Sequence, residues 1–163
     1  MHFRCTARFS GVTLAEYEKL YWNETFNVAM CKDLGLQRTP VANEDKDGTV
    51  RRVVKVAPER EIPAPVQKVL GGARIEYTEH AEYVWGSGAG TWKTVSSLLT
   101  DKVKSSGTFR FVEVPGGVER TVEGDIDVKI FGLGGLVEKF IVADVEKSYD
   151  KAAEFTRKWL NKG

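Results

Sequence analysis

The most constraining stretch of this 163-residue chain is its last third, where a strand pattern runs through three near-consecutive glycines into a long amphipathic helix. Val118, Val122, Ile126, Val128 and Ile130 share one parity with Arg120 and Gly124, while Glu119, Thr121, Glu123, Asp125, Asp127 and Lys129 hold the other. A period of two over Val118 to Ile130 predicts a strand with one buried and one wet face. After Gly132-Leu133-Gly134-Gly135 the period lengthens, and Val137, Ile141, Val145, Tyr149, Ala152, Thr156 and Trp159 recur at three- and four-residue steps. Phe140, Ala153, Phe155 and Leu160 widen that stripe. The spacing predicts a helix of about 25 residues, roughly 37 Å long. So long an element must lie across something broad and apolar, and the upstream sequence has to supply it.

It supplies strands. Phe3, Cys5, Ala7 and Phe9 alternate with His2, Arg4, Thr6 and Arg8. Thr13 with Glu16 has the spacing of a capping box and opens a first helix that buries Leu14, Tyr17, Leu20 and Tyr21. Asn23 caps a second helix through Phe26, Met30 and Leu34, which Gly35 ends. Leu36 to Asn43, interrupted by Pro40, reads as an edge strand. Asp45-Lys46-Asp47-Gly48 turns the chain into Thr49 to Val56. Pro63 and Pro65 start a short inserted helix that ends at Gly71-Gly72. In the next strand Ile75, Tyr77, Ala81, Tyr83 and Trp85 form one face with Glu79 among them. Gly86 to Gly90 turns into Thr91 to Leu99. Asp101 to Ser106 reads as a polar turn, and Thr108 to Val114 as a strand. If Gly116-Gly117 is the loop of the last hairpin, Glu113 faces Arg120, Phe111 faces Val122 and Phe109 faces Gly124.

The expected class is therefore α+β, with order β-α-α-β6-α and a short helical insertion, in one domain over residues 1–163. Seven antiparallel strands with one apolar face twist, curl and need a cover. A stiff helix cannot follow a curved sheet, so a void between them is the physical case for a ligand cavity.

This order resembles the START-related lipid-transfer superfamily, whose helix-grip fold wraps a curved seven-stranded antiparallel sheet around a C-terminal helix. Ile62-Pro63-Ala64-Pro65-Val66, Leu70-Gly71-Gly72, Tyr77-Thr78-Glu79 with Trp85, Gly107-Thr108, Gly132 to Glu138 and Trp159-Leu160 further resemble an uncharacterised, largely bacterial family of START-like proteins. The resemblance implies binding of a hydrophobic molecule. It names none, and it carries over no catalytic residues.

Composition narrows the partners. Lys+Arg (24) nearly balance Asp+Glu (23), so no net field draws the chain to nucleic acid. No stretch is long enough to span a bilayer, and a cytoplasmic address follows by elimination. Cys5 and Cys31 lie in apolar-patterned segments and read as small buried thiols. The Gly132 to Gly135 run lacks a glycine at Val137 and no second strand follows, so it is not a dinucleotide fingerprint. His80 shares a strand face with Glu76 and Glu82 and reads as solvated. No metal, no cofactor and no catalytic set emerges, and the oligomeric state is left open.

Charges in inward rows are the most informative chemistry: Arg52 among Val50, Val54 and Val56; Glu79 among Tyr77 and Ala81; Glu113 after Phe111; Arg120 before Val122. A lone buried charge costs several kcal/mol unless paired. These positions indicate either a polar pole inside a greasy cavity or, for Glu113 and Arg120, a cross-strand pair at the rim. The expected cavity wall is Tyr77, Glu79, Tyr83, Trp85, Trp92, Phe109, Phe111, Arg120, Val122, Ile126, Ile141 and Val145, with the terminal helix or the 63–72 insertion as gate. A filled core needs the same pattern. With the resemblance to START-like proteins, three functions are expected: a non-catalytic carrier or sensor of a hydrophobic small molecule or lipid; an enzyme of the aromatase/cyclase kind that the resemblance implies, using Glu79 with Tyr77 or Tyr83; and an interaction module like the fold's co-chaperone members.

Overall fold

The pattern of alternating residues resolves into seven strands, and the order in which they pair decides where a cavity can form. The computed structural model describes residues 1–59, 62–71, 74–97 and 100–162. In chain order they are β1 (His2–Ser10), α1 (Leu14–Tyr21), α2 (Glu24–Leu34), β2 (Leu36–Lys46), β3 (Thr49–Pro58), α3 (Ala64–Leu70), β4 (Tyr77–Val84), β5 (Ala89–Ser96), β6 (Val103–Val114), β7 (Gly117–Val128) and α4 (Gly134–Lys162). One curved antiparallel sheet runs β1-β7-β6-β5-β4-β3-β2, with α4 across it. This is the α+β helix-grip arrangement. β1 and β2 are its two edges, and α1 and α2 carry the chain from one edge to the other.

Local signals set most of the boundaries. Thr13 and Glu16 form the capping box, each side chain accepting the other's backbone N–H at 3.2 Å. Asn23 Oδ1 accepts from the Phe26 N–H at 2.9 Å. Gly35 ends α2 and Gly71 ends α3, at φ of 69° and 61°, the left-handed region that glycine enters without strain. Pro40 sits at a register shift in β2, on the sheet's edge, where a missing N–H is tolerated.

Several expectations change. The last hairpin turns at Pro115-Gly116, with Gly116 at φ 82°, so Val114 pairs with Gly117, Glu113 with Val118, Phe111 with Arg120 and Phe109 with Val122. The slip is two residues, so each side chain keeps its face. Gly117 cannot be a loop residue, because it also pairs with Ser10 and a Cβ there would stand 2.0 Å from the Phe9 carbonyl oxygen. β6 begins at Val103 rather than Thr108, replacing the polar turn expected over residues 101–106. The end expected for the Thr91 strand, Leu98-Leu99, lies outside the described residues, as does Gly72; β5 ends at Ser96. α4 is 29 residues long, about 43 Å at 1.5 Å per residue.

The sheet's concave face is a set of layers, read directly from the register. Val50, Tyr83, Gly90, Phe109, Val122 and Cys5 form one row; Arg52, Ala81, Trp92, Gly107, Gly124 and Phe3 the next; Val54, Glu79, Thr94, Ser105 and Ile126 the third. At the first row and beyond it, α1 drives Tyr17, Tyr21 and Trp22 against Tyr83, Phe109 and Phe111, with ring centroids 4.8–6.2 Å apart. That end is a solid aromatic plug. α4 packs closely on β1, β7 and α2, and among the described residues β3, β4 and β5 receive no such approach.

Gly124 makes room for the cavity-side indole: a Cβ there would lie 2.4 Å from the Ser106 carbonyl oxygen and 2.5 Å from Trp92 Cζ2. Backbone on one side prevents relief by a side-chain shift. Gly124→Ala is expected to cost about 1–3 kcal/mol as overpacking, seen as a lower urea midpoint with an unchanged denaturant slope.

Candidate functional site

Where the aromatic plug ends and α4 stands away from the sheet, a cavity of about 300 Å³ opens. Its floor is the concave face from the Arg52–Trp92 row onward, and its other walls come from α2, β2, α3 and α4. Of the residues expected to line it, Tyr77, Glu79, Trp92, Arg120, Ile126, Ile141 and Val145 do.

The other five lie elsewhere. Tyr83, Phe109, Phe111 and Val122 are 1–2% exposed and sit in the plug row or beside it. Tyr83 is tied down by polar contacts: its hydroxyl accepts from the Gly88 N–H at 3.0 Å and bonds Glu18, which itself accepts from the Gly86 N–H at 2.7 Å. Burial, and secondarily Glu18, pushes the Tyr83 phenol well above its usual pKa. Trp85 falls in the turn after β4, where its indole N–H donates to Asp45 Oδ1 at 3.0 Å and straps the β2–β3 turn. Glu113 is exposed and accepts from the Leu14 N–H at 3.3 Å, capping α1 from outside. The alternative of a Glu113–Arg120 rim pair is therefore incorrect, because the true register puts Phe111, not Glu113, opposite Arg120.

Sequence reasoning missed the plug's reach and the α2 wall. Tyr21 touches the cavity from the last turn of α1, and Asn27, Met30, Cys31 and Leu34 line it from α2. The signal was present in α2, where Asn27, Met30 and Leu34 repeat at helical spacing. It was masked because Phe26 marks a second face, packed on Phe155 and Trp159 of α4. Ser105 and Thr94, hydrogen-bonded to each other across β5 and β6, also line the cavity.

The polar groups of the cavity differ in how fully they are partnered. Arg38 is engaged: its Nε and Nη2 donate to both Glu24 oxygens at 3.0 and 2.9 Å, which holds the Glu24 carboxyl below the usual range. Arg120, 3% exposed, lies between the rings of Phe9 and Tyr149 at 5.4 and 5.3 Å and bonds the Tyr17 hydroxyl, but its Nε has no partner. Arg52, 6% exposed, lies 4.5 Å above the Trp22 ring, and neither its Nε nor its Nη1 has a partner. Burial pulls the Arg52 pKa down. A desolvated cation over an indole gains about 2 kcal/mol, less than the several kcal/mol that burying the ion costs. Trp92 Nε1 is a further buried donor without a partner. The Tyr21 phenol is pushed well up by burial and then by Glu79, and Tyr149 likewise by burial, so both stay protonated near neutral pH.

Cys31 is a buried free thiol whose pKa burial raises, and Cys5 is free and half-buried. Among the described residues no three His, Cys, Asp or Glu side chains stand close enough to hold a metal ion. No helix among the described residues is long and apolar enough to cross a membrane.

Solved structures share this architecture at low identity. TTHA0849 from Thermus thermophilus is 16% identical over 95% of this chain and 96% of its own, with a TM-score of 0.66. A START superfamily protein from Mycobacterium smegmatis is 12% identical over 99% and 97%, at a TM-score of 0.54. The di-domain ARO/CYC StfQ of the steffimycin biosynthetic pathway is 11% identical over 98% of this chain and 52% of its own, at 0.60. These likenesses establish the fold. None of the curated proteins matches the sequence. Residues 5–160, nearly the whole chain, match the family described as "Protein of unknown function (DUF2505)", and the chain belongs to that family.

Proposed function

We propose that this protein binds a hydrophobic small molecule or lipid in the cavity between its sheet and α4, and acts as a carrier or sensor without catalysing a reaction. The observation that carries this reading is the cavity of about 300 Å³ with mainly aliphatic and aromatic walls, at the lower end of the range for small-molecule sites. The START-like fold, generally one of ligand binders, supports it. Ile62 and Val66, in and before α3, form part of the wall, so α3 is the element we assign as gate.

Protein purified under native conditions should release a hydrophobic compound into organic solvent, with a matching mass excess in native mass spectrometry. A homogeneous apo mass that takes up no added lipid or aromatic compound would sink the reading. Ile141→Trp projects bulk from α4 into the cavity. It should weaken uptake at least about tenfold, or 1.4 kcal/mol, with far-UV circular dichroism unchanged. Retained affinity would place the ligand elsewhere.

One arrangement favours a second reading. Glu79 and the phenols of Tyr21 and Tyr77 face the same cavity, which supplies an acid/base set to a fold that also houses the ARO/CYC protein StfQ. On this reading Glu79→Gln abolishes turnover of a polyketide-like substrate while leaving its binding within a few-fold. No turnover by the unaltered protein removes it.

A further inference from the structure

The groups left unpartnered in the cavity share one chemistry. Arg52 Nε, Arg52 Nη1, Arg120 Nε and Trp92 Nε1 are all buried, all lack a hydrogen-bond partner, and all belong to side chains that line the cavity. Each is a donor only; neither guanidinium nor indole N–H can accept. Both guanidiniums are nine-tenths or more buried, whereas the cavity's carboxylates, Glu79 and Asp144, are half-buried and so keep part of their hydration. The charges that the fold has taken out of water with nitrogens left unpaired are thus positive, Glu79 and Glu24 acting on Arg52 only through longer-range attraction. Water entering the cavity could accept these hydrogen bonds, but it would not neutralise the cations.

Arg52 is the less engaged of the two. Arg120 is held between two rings and by the Tyr17 hydroxyl, which is a structural setting. Arg52 rests one face on Trp22 and leaves two nitrogens open. It also marks one end of the cavity: its row adjoins the aromatic plug, and the rows beyond lead to Ile126, Val103 and Val137 at the greasy end.

We propose that the cavity's ligand is an anionic amphiphile, with a carboxylate-type head on Arg52 and its apolar body extended toward Val103 and Val137. This rests on the ligand-binding reading above and adds the ligand's charge and orientation. A planar guanidinium matches a two-oxygen acid in both geometry and charge, and such charge-assisted bonds discriminate strongly.

The test compares three probes of one chain length: dodecanoate at pH 8, methyl dodecanoate and dodecanol. The ester keeps two acceptor oxygens and drops the charge, and the alcohol drops the charge and keeps a single hydroxyl oxygen. Calorimetry or native mass spectrometry should show dodecanoate bound roughly 10- to 100-fold more tightly than either neutral probe, the ratio expected of hydrogen bonds to a charged group. Arg52→Met should abolish that ratio while raising the Tm of the ligand-free protein, since it removes a buried ion whose desolvation the Trp22 stack and distant carboxylates only partly offset. Equal affinity for all three probes, or preference for a neutral one, overturns the anion and leaves the cavity reading standing. Binding of none of the three overturns both. An acid preference that survives Arg52→Met overturns the assignment to Arg52. The comparison on the unaltered protein decides the charge question whether or not the variant folds.

Discussion

The constraint on which this structure depends is geometric: a straight helix cannot stay in contact with a curved sheet along its whole width. α4 lies close to β1 and β7 and to α2. Bringing it equally close to β3 and β4 would require the sheet to flatten, against the twist that strand chirality imposes. The separation is therefore built in, and the remaining freedom lies in what fills it. α1 fills one end with rings and leaves the other open.

That division explains the distribution of polar groups. At the plug most buried polarity is satisfied, since Glu18 and Tyr83 fasten the turn after β4, and only the Trp22 indole N–H is left without a partner among the described residues there. At the open end buried donors go unmatched. Proteins seldom retain such groups in a core whose only purpose is stability, because each carries its full desolvation penalty. Four of them, on Arg52, Arg120 and Trp92, gather around one space, and on that grouping the proposed ligand rests.

Much of the fold was legible because period and punctuation agreed. Arg120 and Gly124 keep step with Val118, Val122 and Ile126, so β7 shows itself despite a charge and a glycine in its buried row. Thr13, Asn23, Gly35 and Gly71 mark helix ends through local backbone chemistry that tertiary contacts leave intact. The start of β6 was hidden because Ser105 faces a cavity instead of a packed core, so no apolar residue was needed there. The wall was half legible. Parity tells that Tyr83 and Phe109 point inward just as Tyr77 and Trp92 do. Which row is plugged depends on where α1 lands, and that is set by contacts from outside the sheet, chiefly Leu14 to Glu113 and Glu18 to Gly86. No pattern within a strand encodes them.

The aromatic plug has one more implication. The stacked rings of α1 and β6 close one end of the space, the end at which Arg52 stands. A guest in the proposed orientation has its polar group against that closed end and its oily end facing away from it. On that proposal, an acceptor approaching from the open side meets the hydrocarbon before the charge.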